Sequence, residues 1–528
     1  MKTHSSLYTV ISRARYAVAV ACFSLLAGCA QPSGQTTQAP TPPRLFPDYA
    51  GVTVPVGIAP LHFDVQEEGA RVYATFACVP AQGIAQAEGQ PAGAGQSAGS
   101  VAGQAASQSE VAFAVRGRHT VSIPTQKWHN LTAQAAGGAI RVTVSVKQPS
   151  GWTTFAPFDI FVSADSIDHY LAYRLIAPGY EVYSKMGIYQ RDLRSFRQTP
   201  ILENTLVQGN CMNCHSFSQH QPDQMSLHIR GELGCTLLTH GDQVEALNTK
   251  TDETFGNCVY PYWHPSGDYI VYSINKTLQV FHAIHDQRIE VVDLASDIAV
   301  YHPTTHRLLS CDLLQTDDFE TFPSFSPDGR TLYFASSKQR QIPEEYQDVH
   351  YDLCAIAFHP EDGTFGDHVD TLVHASALGK SISFPRPDPT GRFILYTLSD
   401  YGNFSIWHRE ADLWLLDLAD GTTRPADALN SPDVESYHSW SRNGRWVVVS
   451  SRRGDGLYTR PYLAHVNEDG TFAKPFLLPQ QDPGTYYSQS LYSYNVPEFV
   501  EAPVTWDVPA VETLLKGKER QTVTFECL

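Results

Sequence analysis

The chain has 528 residues, room for about three domains at roughly 150 residues each. Hydrophobic residues make up 42% and charged residues 17%, a globular and not a disordered composition. A formal net charge of −18 leaves no basic face to neutralise phosphates, which argues against nucleic acid as a partner.

The first residues read as an export signal. Lys2, Arg13 and Arg15 form a basic start, and residues 16–27 form an apolar run too short to span a bilayer as a mature helix. The run ends in Leu26-Ala27-Gly28-Cys29, which resembles a bacterial lipobox with Cys29 as the lipid-modified first residue of the mature protein. Residues 1–28 are then a signal peptide, and residues 29–44, rich in Pro, Gln and Thr, a flexible tether. No later segment has 18 consecutive apolar residues, so the membrane is reached through acyl chains. Ala30 and Gln31 bring no acidic residue next to Cys29, as in lipoproteins of the outer membrane that face the periplasm. Cysteines in that compartment tend to be oxidised or ligated.

Tyr 26 and Phe 25, against Met 4, together with Gly 36 and Pro 34, favour short strands and turns. The expected fold class is all-β. Residues 45–170 alternate apolar and polar positions, as in ARVYATFACV and AIRVTVSVK, and predict a β-sandwich. An Ala/Gly/Gln/Ser tract at 81–108 interrupts them and is expected as a disordered insert. Within it, Gly95-Gln96-Ser97-Ala98-Gly99 matches a nucleophile-elbow pattern, but it lacks the flanking strand and helix such an elbow needs. Residues 171–210 read as a connecting segment.

From residue 211 the chain repeats. Turns ending at Gly267, Gly329, Gly391 and Gly444, spaced 62, 62 and 53 residues apart, each precede an alternating strand. A tight hairpin plus outer strands at such spacing is one blade of a β-propeller. Ser324-Phe325-Ser326-Pro327-Asp328-Gly329 resembles the TolB-like, WD-repeat-like propeller repeat most clearly. Counting the repeats gives about six blades over residues 211–505, a pattern that five or seven would also suit, with 492–500 as a candidate strand to close the ring and 506–528 as a C-terminal tail.

Cys211-Met212-Asn213-Cys214-His215 is a C-x-x-C-H motif. Two cysteines three apart can each form a thioether to a haem vinyl group, with the adjacent imidazole as proximal iron ligand. The same C-x-x-C also serves as a disulfide, a redox dithiol or part of a zinc site. Met225 and Met186 are the candidate sixth ligands, because Met212 lies inside the motif and Met1 in the signal. His228, His264 and His438 are weaker candidates. The stretches PGYEVYSKMGIYQRDL, QTPILENTLVQGNCMNCHSF and YPYWHPSGDYIVYSINKT resemble a group of exported Bacteroidetes lipoproteins with an N-terminal β-domain, a cytochrome-c-like segment and a TolB-like propeller. That resemblance implies one haem c and an electron-transfer role with a redox partner. The alternative is a non-catalytic propeller that serves as a protein- or peptide-binding scaffold, with the cysteines as a structural disulfide or metal site. No supported nucleophile or carboxylate pair points to a hydrolase.

Replacing Cys29 (C29A) is expected to move the protein from membranes into the soluble envelope fraction, because acyl chains are its predicted anchor. Fractionation after a high-salt wash checks this; a variant that still pellets with membranes contradicts the lipobox reading.

Overall fold

Alternation of buried and polar positions along short runs makes this chain mostly strand and turn, and the computed structural model is all-β, with three short α-helices among the described residues. It describes residues 32–81, 111–177, 185–207, 209–241, 243–282 and 287–528. The signal peptide, Cys29 and nearly all of the 81–108 tract lie outside these residues. Among the described residues no helix is long and apolar enough to cross a membrane.

Everything that bears on a site hangs from six strands. They are β1 (Met212–Phe217), β2 (Cys258–Trp263), β3 (Phe319–Phe325), β4 (Ser381–Pro387), β5 (Glu435–Trp440) and β6 (Ser493–Val500). Each is the first strand of an antiparallel sheet of about four strands; the β2 and β3 sheets are also linked through one bridge, Ser296 to Phe319. Each strand adjoins the next in order, and β6 adjoins β1, so the six complete a circuit.

The closing sheet is built from both ends of this region. β6 pairs antiparallel with Tyr170–Ile176, from Tyr170 opposite Val500 to Ser493 opposite Ile176. Met186–Asp192 and Gln198–Glu203 continue the sheet outward. The stretch 171–210, expected as a connector, therefore supplies three strands. Tyr170–Ile176 is buried at every position, as a strand covered on both faces must be. Two further expectations change. Within the expected tether, Thr36–Gln38 pairs parallel with Trp152–Thr154, and Thr37 and Thr153 hydroxyls bond at 3.0 Å. The expected tail folds into a helix, Val508–Gly517, and two edge strands, Gln521–Thr522 and Thr524–Cys527. These extend the outer edges of the β1 and β2 sheets and cover their open hydrogen-bonding groups.

The repeated turns explain the glycines. Gly267, Gly329, Gly391 and Gly444 all have φ between 68° and 79°. Each donates its N–H to the carbonyl three residues back, at 2.9–3.0 Å. At Gly329 an added Cβ would also collide with the His264 ring, whose Nε2 sits 3.0 Å from the Gly329 carbonyl oxygen.

The N-terminal region has a seven-stranded and a three-stranded sheet, and one continuous apolar core links them with the β5 and β6 sheets. A helix that the strand-like pattern did not announce, Thr125–Gln134, packs Trp128 and Leu131 into that core. The Trp128 indole donates to the Ile58 carbonyl at 3.0 Å. Asp165 bridges the two regions through His465 at 2.7 Å and Arg445 at 3.1 Å.

Near its middle each of β1 to β5 slips register against its neighbour, as does Tyr170–Ile176 against β6. Cys214, Tyr260, Phe322, Phe384 and Val496 stand at these bulges with φ of 50–54°. Left-handed backbone costs a side-chain-bearing residue about 1–2 kcal/mol, so packing must hold them there. The rings supply it: Tyr260, Phe322, Phe384 and Tyr437 follow one another around the hub with centroids 4.5, 4.4 and 4.6 Å apart. Truncating one of them, Phe384→Ala, is expected to cost about 3–5 kcal/mol, the range for a buried aromatic. Denaturant melts check this; a loss below about 1 kcal/mol contradicts the hub aromatics as a packed element.

Candidate functional site

The C-x-x-C-H motif lies on β1 and at its bulge. Met212 and Asn213 pair with Ile229 and His228, and the register then shifts before Ser216. Cys214 takes the hub position that Tyr260, Phe322, Phe384 and Tyr437 take in the next four sheets. His215 follows it where Pro261, Pro323, Pro385 and His438 stand in the others. Cys211, Cys214 and His215 are all buried.

Two cavities meet at this ring. One, of about 160 Å³, is bounded by residues at or before the bulges, among them Cys211, Cys214, Tyr260, Ser493 and Asn495. The other, of about 330 Å³, is bounded by residues after them, among them Phe217, Trp263, Phe325, Trp440 and Glu498. His215, Phe384, Arg386 and Tyr437 border both.

Neither ring nitrogen of His215 has a hydrogen-bond partner of acceptable geometry. Burial pushes its imidazole down to about 3, with Arg174 adding to the effect and the nearby Val496 backbone opposing it, so the ring is neutral at physiological pH. Burial raises the Cys214 thiol, against smaller opposing effects of the Tyr260 backbone and of Arg230 and Arg174, so this sulfur is protonated as well. All eight described cysteines are free. A Cys211–Cys214 disulfide does not suit the strand, since three extended residues span about 10 Å and a disulfide needs Cα atoms within roughly 7 Å. Among the described residues no group of three or more His, Cys, Asp or Glu side chains could hold a metal ion.

Haem can be tested against the same geometry. The chemistry of the donors suits it: two thiols and an orphaned imidazole face one cavity. The space does not. About 160 Å³ is close to the ~150 Å³ cavity that accepts one benzene ring, and a porphyrin has four pyrroles. The space between the described side chains is therefore too small for a whole porphyrin.

The other expected ligands lie elsewhere. Met186 and Met225 are fully buried and do not line the cavity. The Met186 sulfur accepts the Met212 N–H at 3.4 Å, and Met225 bonds through its backbone to Thr239. His228 lies 3.4 Å from the Thr236 hydroxyl, and His264 spans Ser266 and Gly329. His438 holds the Ser436 and Leu395 carbonyls at 3.0 and 2.9 Å.

Arginines are the residues that motif reading missed. Arg174, Arg230, Arg386 and Arg452 all border the smaller cavity, and none of its described lining residues is Asp or Glu. The hub aromatics were accessible in the repeat, since each stands seven residues before a turn glycine.

No family model matches the chain, and none of the curated proteins matches it in sequence. Among solved structures it is similar to prolyl oligopeptidase B from Galerina marginata, at 12% identity and TM-score 0.32, over 58% of this chain and 44% of that one. It is also similar to a puromycin-hydrolyzing peptidase of Mycobacterium tuberculosis, at 11% identity and TM-score 0.34, over 57% and 46%. An oligogalacturonate lyase in complex with manganese matches at 12% identity and TM-score 0.27, over 59% and 86%. The chain spans less than half the length of the two peptidases, and likenesses this slight carry nothing about its chemistry.

Glu498 is the one acidic residue among the described lining of the larger cavity. Burial raises it to about 8, against the Phe217 N–H at 2.9 Å and the Arg386 charge. Its folded pKa thus lies above the unfolded one, so the native state holds a proton that the unfolded chain loses above about pH 4.5. This contribution to stability is complete below about pH 4.5 and is lost as pH rises toward 8. Glu498→Gln is expected to lose less stability than wild type between pH 5 and 8. Denaturant midpoints at several pH values check this, and equal slopes contradict it.

Proposed function

We propose that this is a lipid-anchored envelope protein of the outer membrane, built as an N-terminal β-sandwich and a six-bladed TolB-like β-propeller closed by β6. We further propose that it works as a non-catalytic binding platform whose ligand seats at the hub, beside Cys211, Cys214 and His215. The circuit of six inner strands supports the blade count. The observation that carries the binding reading is the small hub cavity with buried polar groups left unmatched around it: both His215 nitrogens and Arg174 Nε. Unmatched buried polar atoms are costly, about 1–3 kcal/mol each, and a ligand that satisfies them recovers that cost. Cys214 in this reading is a small apolar member of the ring.

A second reading has its own support in the motif and in the orphaned imidazole. In it Cys211 and Cys214 carry haem c by thioethers, His215 is the proximal ligand, and the protein passes electrons to a redox partner. It requires more room than the cavity offers between the described side chains. When bound, haem would supply one-electron chemistry, and the chain's part would be to hold the ring and exclude water.

Co-expression with cytochrome maturation machinery separates the two. The binding reading expects a colourless protein, no haem stain on a denaturing gel, and alkylation of both Cys211 and Cys214 after unfolding. A haem-stained band that disappears in a Cys211→Ala, Cys214→Ala double variant overturns it.

A further inference from the structure

We infer that the hub cavity recognises a carboxylate carried on a compact aromatic or apolar group, either a free small acid or the C-terminal residue of a peptide. The inference rests on the hub-binding reading above and names the chemistry of its ligand.

Charge comes first. In a chain of net charge −18, three guanidiniums at this cavity, those of Arg174, Arg386 and Arg452, make no ion pair with a described carboxylate. Arg174 and Arg452 are almost wholly buried and Arg386 partly so. Their present partners are neutral. Arg452 donates Nε to the Ile406 carbonyl at 2.8 Å and another nitrogen to the Leu457 carbonyl, with its guanidinium 3.3 Å from the Trp407 ring centroid. Arg386 donates to the Pro385 carbonyl at 3.0 Å and stacks on Tyr262. Arg174 Nη2 reaches the Asn495 amide oxygen at 3.1 Å in the amide orientation that satisfies both groups, while its Nε has no partner.

The nearest acids act only from a distance: Asp433 and Asp455 on Arg452, and Glu498, which borders the other cavity, on Arg386. Burial pulls both guanidiniums below their ordinary value, a sign of unmet demand for counter-charge. Buried cations without a counter-ion are expensive, and a planar guanidinium matches a carboxylate by two parallel hydrogen bonds.

Shape gives the rest of the ligand. The space of about 160 Å³ is that of one benzene-sized body, and Tyr260, Phe384, Tyr437 and Trp407 form its walls. A bare inorganic anion would leave those rings unpaired, and a neutral aromatic would leave the guanidiniums so. The cavity also borders Thr277, Gln279, Ile289 and Val291 on the long hairpin of the β2 sheet, so an extended chain leaving the hub would meet exposed strand. Capture of a terminal carboxylate is a known peptide-recognition mode.

Calorimetric titration of the mature full-length protein tests this with N-acetyl-phenylalanine, its C-terminal amide, inorganic phosphate, and a five-residue peptide ending in Phe with its amidated twin. The acid is expected to bind at least about tenfold more tightly than the amide, roughly the worth of one charge-assisted bond. Arg174→Gln is expected to erase that preference; the acid–amide comparison on wild type stands even if this variant does not fold. Equal affinity of free acid and peptide identifies the small acid as the source, and a peptide preference of tenfold or more identifies the peptide terminus; both support the inference. Equal binding of acid and amide overturns it and leaves the hub-binding reading standing. Phosphate binding as tightly as the acid overturns the aromatic-carboxylate class. If none of these probes binds the folded wild type, the hub-binding reading falls with it.

Discussion

The pairing of Ser493–Val500 with Tyr170–Ile176 is the contact on which the rest depends. A sheet alone exposes two edges, and a ring of sheets has none at its hub only if its last member meets its first. Here one four-stranded sheet takes its inner strand from the C-terminal side and its outer three from the N-terminal side. The ends of the ring are thereby held by backbone hydrogen bonds. Because Val496 sits on that closing strand and neighbours His215 and Asn495, the same contact also completes the wall of the hub cavity.

Closure crowds six bulges onto one axis, and the response is aromatic. Tyr260, Phe322, Phe384 and Tyr437 fill most of the circumference, leaving Cys214 and Val496 as the two small members. The space beside the small members is where the cavities form. Burial then sets the chemistry: it keeps His215 neutral and Cys214 protonated, beside Arg174, Arg386 and Arg452, which pair with no described carboxylate. A protonated thiol is a poor metal ligand and a poor nucleophile until it loses its proton, whereas a neutral imidazole keeps one nitrogen lone pair free to accept a hydrogen bond or to ligate. They do remain able to pack and hydrogen-bond.

Much of this was legible in the sequence, for identifiable reasons. Turn glycines at 267, 329, 391 and 444 need left-handed backbone, and so the repeat could be read. The β1 copy was faint because Gln219 and His220 take the left-handed positions there without glycine. Residues 171–210 carry no local sign of the sheet they build, because Tyr170–Ile176, on which the other two strands stack in sequence order, takes its inner partner from the distant Ser493–Val500. The C-terminal strands escaped for the same reason. At the site, C-x-x-C-H was visible as a string, yet its meaning depends on whether it lies on a helical turn or a strand, and it lies on a strand. Arg174, Arg386 and Arg452 carry no motif; only the ring brings them together.

The account's central claim is that Cys211, Cys214 and His215 wall a small ligand cavity inside a closed ring. A crystal structure of the protein purified from its native host tests this most directly. The account predicts six sheets closed by Ser493–Val500, unmodified sulfurs at Cys211 and Cys214, and any hub density confined to a benzene-sized body in contact with Arg174. Continuous density from both sulfurs to a macrocycle ligated by His215, with Tyr260, Phe384 and Tyr437 swung out of the hub, would contradict it.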